Sequence, residues 1–432
     1  MTRPAEHPRW LPTQALRRAV AVGGALLLIA VLFRRPDSVV VATPVLVATA
    51  LGLLRAPRGA VSVALRTSAS SMLEGQLMTV SVDVSSDDDL DVATVALPPA
   101  RFLPPWQARR ARSAAVAASR PASIDLDVRS VRWGRRPVGP ATVRLTGADC
   151  LLHTPVLHTG AVSSTTLPLR DGFEAVDAVP RAEGLVGPHR SRRVGDGTDV
   201  AGVRPFQLGD RLHRINWAVS LRAGGLHVTS TYSDRDTEVV IVIDSSSDFG
   251  VSGGIDGDPT SLDLAVRAAA SIAEHYLRHG DRVGLLDLGQ AVRRVPSGAG
   301  RAHLVRLLDV LLDVTATQRS IGIRAAIAGI APNALVLMLS PLVTDAASSR
   351  AIELALGGHT VLLIDTLPPG ARPPGRSEWT DLAWRLWLLE RDVDAGRLAE
   401  FGIPVVRWEG AGTLDQVLRD VSRAAGAPRA RR

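Results

Sequence analysis

Asp244, Ser246 and Asp248 are the residues whose types and spacing could hold a metal. They follow a run of five apolar residues, Val239 to Ile243, in the stretch EVVIVIDSSSDFG. In open α/β sheets, ligands gather beyond the carboxyl ends of the strands. Alternate residues of the turn after such a strand can aim their oxygens at one point, and carboxylate and hydroxyl oxygens suit Mg²⁺. Three oxygens do not complete the site, so other loops must contribute, ideally a Thr and a second Asp after the strand ALVLMLS, 334–340. That loop reads SPLVTD: Pro341 stands where an Asp would serve best, and Asp345 comes four residues later. An Asp at a strand end also serves as a plain helix cap or turn former. On residue types the expectation is therefore a cap or turn former rather than a metal site, with no resident cofactor and Mg²⁺ as the cation that the residue types would admit.

The segment before that strand holds the second cluster. It reads RPFQLGDRLHRINW, Arg204 to Trp217. Gly209 and Asp210 make a turn, Arg214 lies four residues beyond Asp210, and Trp217 is flanked by Ile215 and Ala218. Buried Trp and paired Asp/Arg are usually packing devices. This predicts an inward-facing Trp217 and a structural clamp joining the two domains, with a partner-binding or nucleotide-binding surface as the alternative.

Enzyme signatures are poor. The chain has no lysine, which excludes the phosphate loop ending in Gly-Lys-Ser/Thr. His213 and His227 stand beside no marked nucleophile, and the single cysteine, Cys150, excludes an intramolecular disulfide. Arg109, Arg110 and Arg112 cluster without interleaved aromatics, so no nucleic acid partner is expected.

These residues need elements to hold them. The chain has 432 residues, 46% hydrophobic, with a net charge of +7, which predicts two or three domains with real cores. Two uncharged apolar runs open it, Ala19 to Phe33 and Ser38 to Leu54, joined by RRPD. Two such runs in tandem predict a transmembrane hairpin rather than a signal peptide. Arg17, Arg18, Arg55, Arg58 and Arg66 lie outside the spans, against Arg34, Arg35 and Asp37 between them, which favours a cytoplasmic bulk. Residues 60–170 alternate with period two and predict an antiparallel β-sandwich-like domain, with Pro104 to Ser123 as an exposed loop. After the signature segment, 171–237, fully apolar strands alternate with helices over 238–426. That rhythm means a mostly parallel sheet covered by helices. Asp258 and Pro259 read as the cap and first residue of its first helix. The predicted class is α+β multidomain, with 1–18 a cytoplasmic N-terminus, 19–54 the hairpin and 427–432 a disordered tail.

The motif R-P-F-x-x-G-D-x-x-x-R-I-N-W resembles the signature of the bacterial "domain of unknown function 58" family. It covers Arg204, Phe206, Gly209, Asp210, Arg214, Ile215, Asn216 and Trp217. The resemblance extends over the two apolar runs, the stretch Arg132 to Asp149 and the stretch Leu389 to Trp408. It implies a C-terminal α/β domain of the von Willebrand factor A type, a Rossmann-like fold. The metal motif of that fold is Asp-x-Ser-x-Ser with a Thr and a later Asp. Asp244 and Ser246 match it, Asp248 replaces the last Ser, Pro341 replaces the later Asp, and Thr315 or Thr317 stands for the Thr. The resemblance also implies a protein partner, a MoxR-type AAA+ ATPase. The resulting expectation is a membrane-anchored, non-catalytic adaptor. The alternatives are a metal-dependent hydrolase using Asp244 and Asp248, and an extracytoplasmic adhesion receptor.

Overall fold

The computed structural model describes residues 7–106, 111–118, 120–170, 194–207, 212–232, 238–289, 293–317, 329–331, 334–373, 375 and 377–410. Two compact units divide it, Met1–Pro168 with Gly253–Asp256, and Leu169–Ser252 with Gly257–Arg432.

The first unit opens with the short strand β1 (Leu11–Pro12) and two helices, α1 (Gln14–Leu32) and α2 (Asp37–Leu54). Both helices are long and apolar enough to cross a membrane. Their walls stay largely outside any core, with Val31, Phe33, Val40 and Leu54 all exposed. The helices meet at Gly23, where an added Cβ would collide with Leu46. The hydroxyls of Thr43 and Thr49 donate to the carbonyls of Val39 and Val45, each at 2.7 Å, so neither polar group is left open along α2. Thr13 caps α1 at Leu16 N–H and also donates to the carbonyl of Cys150. The hairpin is thereby tied to the β-strands of its own unit.

Those strands are β2 (Val61–Thr67), β3 (Ser71–Leu73), β4 (Leu77–Ser86), β5 (Leu90–Ala96), β6 (Ala111–Val116), β7 (Ala122–Arg129), β8 (Gly134–Val138), β9 (Thr142–Gly147), β10 (Leu152–His153), β11 (Leu157–His158) and β12 (Val162–Leu167). They form three small sheets: β2-β4-β7, β1-β10-β9-β5-β6 with β11 on β9, and β3-β12-β8. In β4, Met78, Val80, Val82 and Val84 are buried while the residues between them are not, which is the period-two pattern read from the sequence. Val63, Leu65, Val82, Val95, Leu126 and Val143 from different sheets meet in one core. The expected loop from Pro104 to Ser123 is a partial error, since β6 lies within it and pairs with β5. Its Ala-rich sequence hides the alternation because small side chains carry little hydrophobic signal.

The second unit carries β13 (Val194–Pro205), α3 (Trp217–Ala223) and β14 (His227–Tyr232), with β13 and β14 antiparallel. Then come β15 (Glu238–Ile243), α4 (Ser261–Arg278), β16 (Arg282–Asp287), β17 (Arg293–Gly298), α5 (Arg301–Leu311), β18 (Leu335–Ser340), α6 (Asp345–Leu356), β19 (Thr360–Asp365), α7 (Thr380–Glu400) and β20 (Val405–Arg407). Strand order is β17-β16-β15-β18-β19-β20, all parallel except β17. The antiparallel edge β17 was not expected, because RRVPSG contains a Pro and few apolar residues. Every residue of β18 is buried, as a sheet covered on both faces requires. One face packs Val240, Val242 and Met338 against Ala351 and Leu354 of α6.

The cap of α4 corrects a second expectation. Thr260, not Asp258, is the N-cap, and Asp263 completes a capping box by accepting from Thr260 N–H. Thr260 with Asp263 satisfies two orphan N–H groups, which Asp258 followed by Pro could not do. Parts of the predicted strand–helix alternation, 318–328 and 411–426, fall outside the described residues.

Inside α4, His275 is buried and its pKa falls to about 4, through loss of solvation first and then the charges of His279 and Arg278. The usual value of 6.5 returns on unfolding, so the unfolded chain binds this proton more readily between the two values. Stability is therefore full above about pH 6.5 and falls as pH drops toward 4. Denaturant midpoints measured across that window should decline toward acid, and His275→Gln should flatten that decline; an unchanged slope in the variant would place the effect elsewhere.

Candidate functional site

Three strands of the large sheet lead to aspartate: Asp244 directly follows β15, and β16 and β19 end in Asp287 and Asp365. All three side chains are buried. A buried carboxylate must find donors or lose its charge. Each does so within the chain. Asp244 Oδ1 accepts from Ser246 N–H at 3.1 Å and from the Ser246 hydroxyl at 2.5 Å, and Oδ2 accepts from the Ser340 hydroxyl at 2.7 Å. Asp287 accepts from the Ser245 hydroxyl and from Gly289 N–H. Burial still raises the Asp287 carboxyl pKa, opposed by those two hydrogen bonds and Arg293 and assisted by the neighbouring Asp244 charge. Asp365 forms an ion pair with Arg391 of α7, whose Nε also donates to the Pro341 carbonyl at 3.2 Å.

The position of Asp244 follows from the strand order. The chain runs from β15 to β16 on one side and later returns to β18 on the other. The order therefore reverses between β15 and β18, where such sheets open a crevice at the strand ends. Here the Ser340–Asp244 hydrogen bond spans that point. The hydroxyl sits where a metal-binding set would need another oxygen facing a cation. Ser340 also accepts from Leu342 N–H, and Leu342 itself has a left-handed φ of 51°.

Of the predicted metal residues, Asp244 and Ser246 are brought together. Asp248 is turned to the start of α4, where it accepts from Leu262 N–H and the Ser261 hydroxyl, both at 3.0 Å. This favours its negative charge near the helix N-terminus. Asp345 is the first residue of α6 and stands at that helix's N-terminal end. Thr317 N–H donates to the Ser245 carbonyl at 2.9 Å, so its loop reaches the rim, but its hydroxyl bonds back to Thr315. No group of three or more His, Cys, Asp or Glu able to hold a metal occurs among the described residues. Sequence reasoning missed Asp287, Asp365, Ser340 and Arg391. The signal was there in VVIVID, GLLD and TVLLID, each an apolar strand closed by Asp.

The signature segment takes a different form from the one expected. Trp217 is 62% exposed and Leu221 83% exposed. The inward-facing Trp217 is thus overturned. Asn216 is the N-cap of α3, its side chain accepting from Val219 N–H. This leaves Trp217 and Leu221 one above the other, since residues four apart share a helix face. The inward face belongs to Ser220, whose hydroxyl donates to the Asn216 carbonyl and accepts from His227 N–H. Asn216 and Ser220 instead join α3 to β14 within the same unit. Arg204 lies in β13 opposite Val228, Phe206 N–H donates to the Leu226 carbonyl, and Ile215 bridges Val228. Arg214 ends a single 3-10 turn, Leu212–Arg214. Gly209 and Asp210 lie outside the described residues.

Residues 202–370 match the family model described as Protein of unknown function DUF58. The resemblance read from Arg204 to Trp217 is thereby shown over that span. The match contains α3 and the strand ends Asp244, Asp287, Ser340 and Asp365, and it stops before α7. Uncharacterised proteins of Mycobacterium bovis and of two strains of Mycobacterium tuberculosis are 28% identical over 298 residues, 65% of this chain and 89% of each relative. A solved β-glucosidase from Erythrobacter marinus shares 11% identity at a TM-score of 0.15, covering 25% of this chain and 16% of that chain. A likeness of that size says nothing about fold or chemistry. The family's description names no activity, so the function has to be argued from the site.

Removing the Ser340 hydroxyl leaves one buried oxygen of Asp244 without its donor. Ser340→Ala should destabilise the protein by about 1–3 kcal/mol, read from the denaturant midpoint. Calorimetric titration with Mg²⁺ should meanwhile show no saturable micromolar binding, because both Asp244 oxygens are occupied from within the chain. Binding that disappears in Asp244→Ala would overturn the eroded-site reading.

Proposed function

We propose that this protein is a membrane-anchored, non-catalytic adaptor that engages another protein through its large α/β unit. The observation that carries this reading is the exposed Trp217–Leu221 pair within the family-matched segment. Large aromatics exposed on a rigid element are typical binding anchors, and Trp is the residue most enriched at binding hot spots. The strand-end rim adds support. Its carboxylates are spent on internal partners, leaving no evident base beside a nucleophile.

In this reading the α/β unit is of the von Willebrand factor A type, with its metal site replaced by the Asp244–Ser340 hydrogen bond. The partner class the resemblance implies is a MoxR-type AAA+ ATPase, bound without a metal bridge. The two apolar helices hold the unit at the membrane, and the arginines flanking them favour a cytoplasmic bulk.

Two measurements test the reading. Binding of the full chain to a MoxR-type ATPase, followed by interferometry in nanodiscs, should resist chelator. Trp217→Ala with Leu221→Ala should weaken it by at least about tenfold, the scale of a lost hot spot, while the thermal midpoint stays at the wild-type value. A lowered midpoint, or undiminished binding, would refute the surface role of α3. Reporter fusions placed after Gly59 should report a cytoplasmic location; an active extracytoplasmic reporter would reverse the topology and favour the adhesion alternative.

A further inference from the structure

Helix α7 carries an apolar stripe that its own unit does not cover. Trp379, Leu382, Leu386, Leu389 and Val393 follow one another at steps of three, four, three and four, and all five are more than half exposed. That spacing is the a/d seam of a coiled coil. The opposite side of the helix is already engaged. Arg391 and Leu398 are buried there, and Trp384 and Trp387 stack on Phe249 at centroid distances of 5.3 and 6.3 Å. An internal packing role therefore does not account for the stripe.

We propose that α7 pairs antiparallel with α7 of a second copy of this chain, forming an isologous dimer seam. Two features of the stripe fit a copy of itself. The first is size. With the two-fold axis between positions 387 and 388, Leu386 faces Leu389 of the second copy, Leu382 faces Val393, and Trp379 faces Gly396. The largest residue thus meets the smallest. Gly396 is exposed near the end of the helix, and a Cβ built on it would meet nothing within 4 Å. The helix itself gains nothing from a glycine there, since glycine lowers helix stability. The space above it accommodates an indole.

The second feature is charge. Arg385 and Asp392 are exposed and occupy the g positions beside the seam. In an antiparallel pair g residues face g residues, so each Arg385 lies beside Asp392 of the other copy. Glu390, at an e position, faces Ala383, and no like charges meet. A parallel pair would also set opposite charges together, Arg385 with Glu390 and Asp392 with Arg397. It would however stack Trp379 on Trp379 and leave a gap at Gly396. Packing therefore selects the antiparallel register, and an isologous contact of this kind closes as a dimer.

The test is a concentration series of the full chain in nanodiscs or detergent, with oligomeric state read by analytical ultracentrifugation. Dimers are expected. Leu386→Glu should weaken them by about tenfold or more, because a charge enters the seam. Arg385→Asp alone and Asp392→Arg alone should each weaken the dimer. The two together should restore it to within about threefold of wild type, the signature of a direct pair in a double-mutant cycle. All positions are exposed in the single chain, so thermal midpoints extrapolated to low concentration should not move. A monomer at every concentration, or a dimer indifferent to Leu386→Glu, would overturn the proposal. So would a double reversal weaker than either single change, which is the outcome of parallel pairing.

Discussion

The ends of three parallel strands bury three carboxylates, and the second unit is organised around meeting that demand. An unpaired buried charge costs several kcal/mol, so each Asp must be supplied with donors from the loops that follow. Asp244 draws on Ser246 and on Ser340 of the next strand. Asp287 draws on Ser245 of the central loop, and Asp365 on Arg391 of a helix far along the chain. The loops are thereby cross-linked to one another. The geometry that in another sequence would open toward a cation is closed here by hydroxyls and a guanidinium.

Each strand-end carboxylate accepts hydrogen bonds or an ion pair from within the chain, and Asp248 holds the start of α4. The exposed large apolar side chains of the unit include Trp217 and Leu221 on α3 and the stripe on α7. The apolar hairpin in the other unit, long and apolar enough to cross a membrane, treats its polar groups in the same way. Thr43 and Thr49 close their hydroxyls onto their own helix backbone, so that the lateral surface offers only apolar groups.

Much of this was legible in the sequence wherever a local pattern has a single reading. The apolar runs, most period-two strands of the first unit and, among the described residues, the parallel strands of the second appear at the expected places, because periodicity records which face is buried. Asp248 as a cap was also foreseeable, since a short acid before a helix finds free N–H groups within a few residues. Patterns with competing local readings went astray. Asp258-Pro259 looked like a helix start, but Thr260 and Asp263 offer a reciprocal pair that outcompetes it. Trp217 looked buried from its neighbours, yet the inward face of so short a helix is set by which residue can bond the adjacent strand, and that is Ser220.

The sequence by itself determined the inventory: two membrane-length apolar helices, an alternating β-region, a parallel sheet whose strands close in Asp, and the signature Arg204 to Trp217. These depend on side-chain type at fixed spacing along the chain, which is local information. Tertiary structure alone decided what the aspartates do. Asp244 and Ser340 are 96 residues apart and are joined only because β15 and β18 are neighbours. Arg391 reaches Asp365 only because α7 packs back across the sheet end. Whether a carboxylate is a ligand or a strut depends on which donors surround it, and strand order, which no local spacing records, sets those donors.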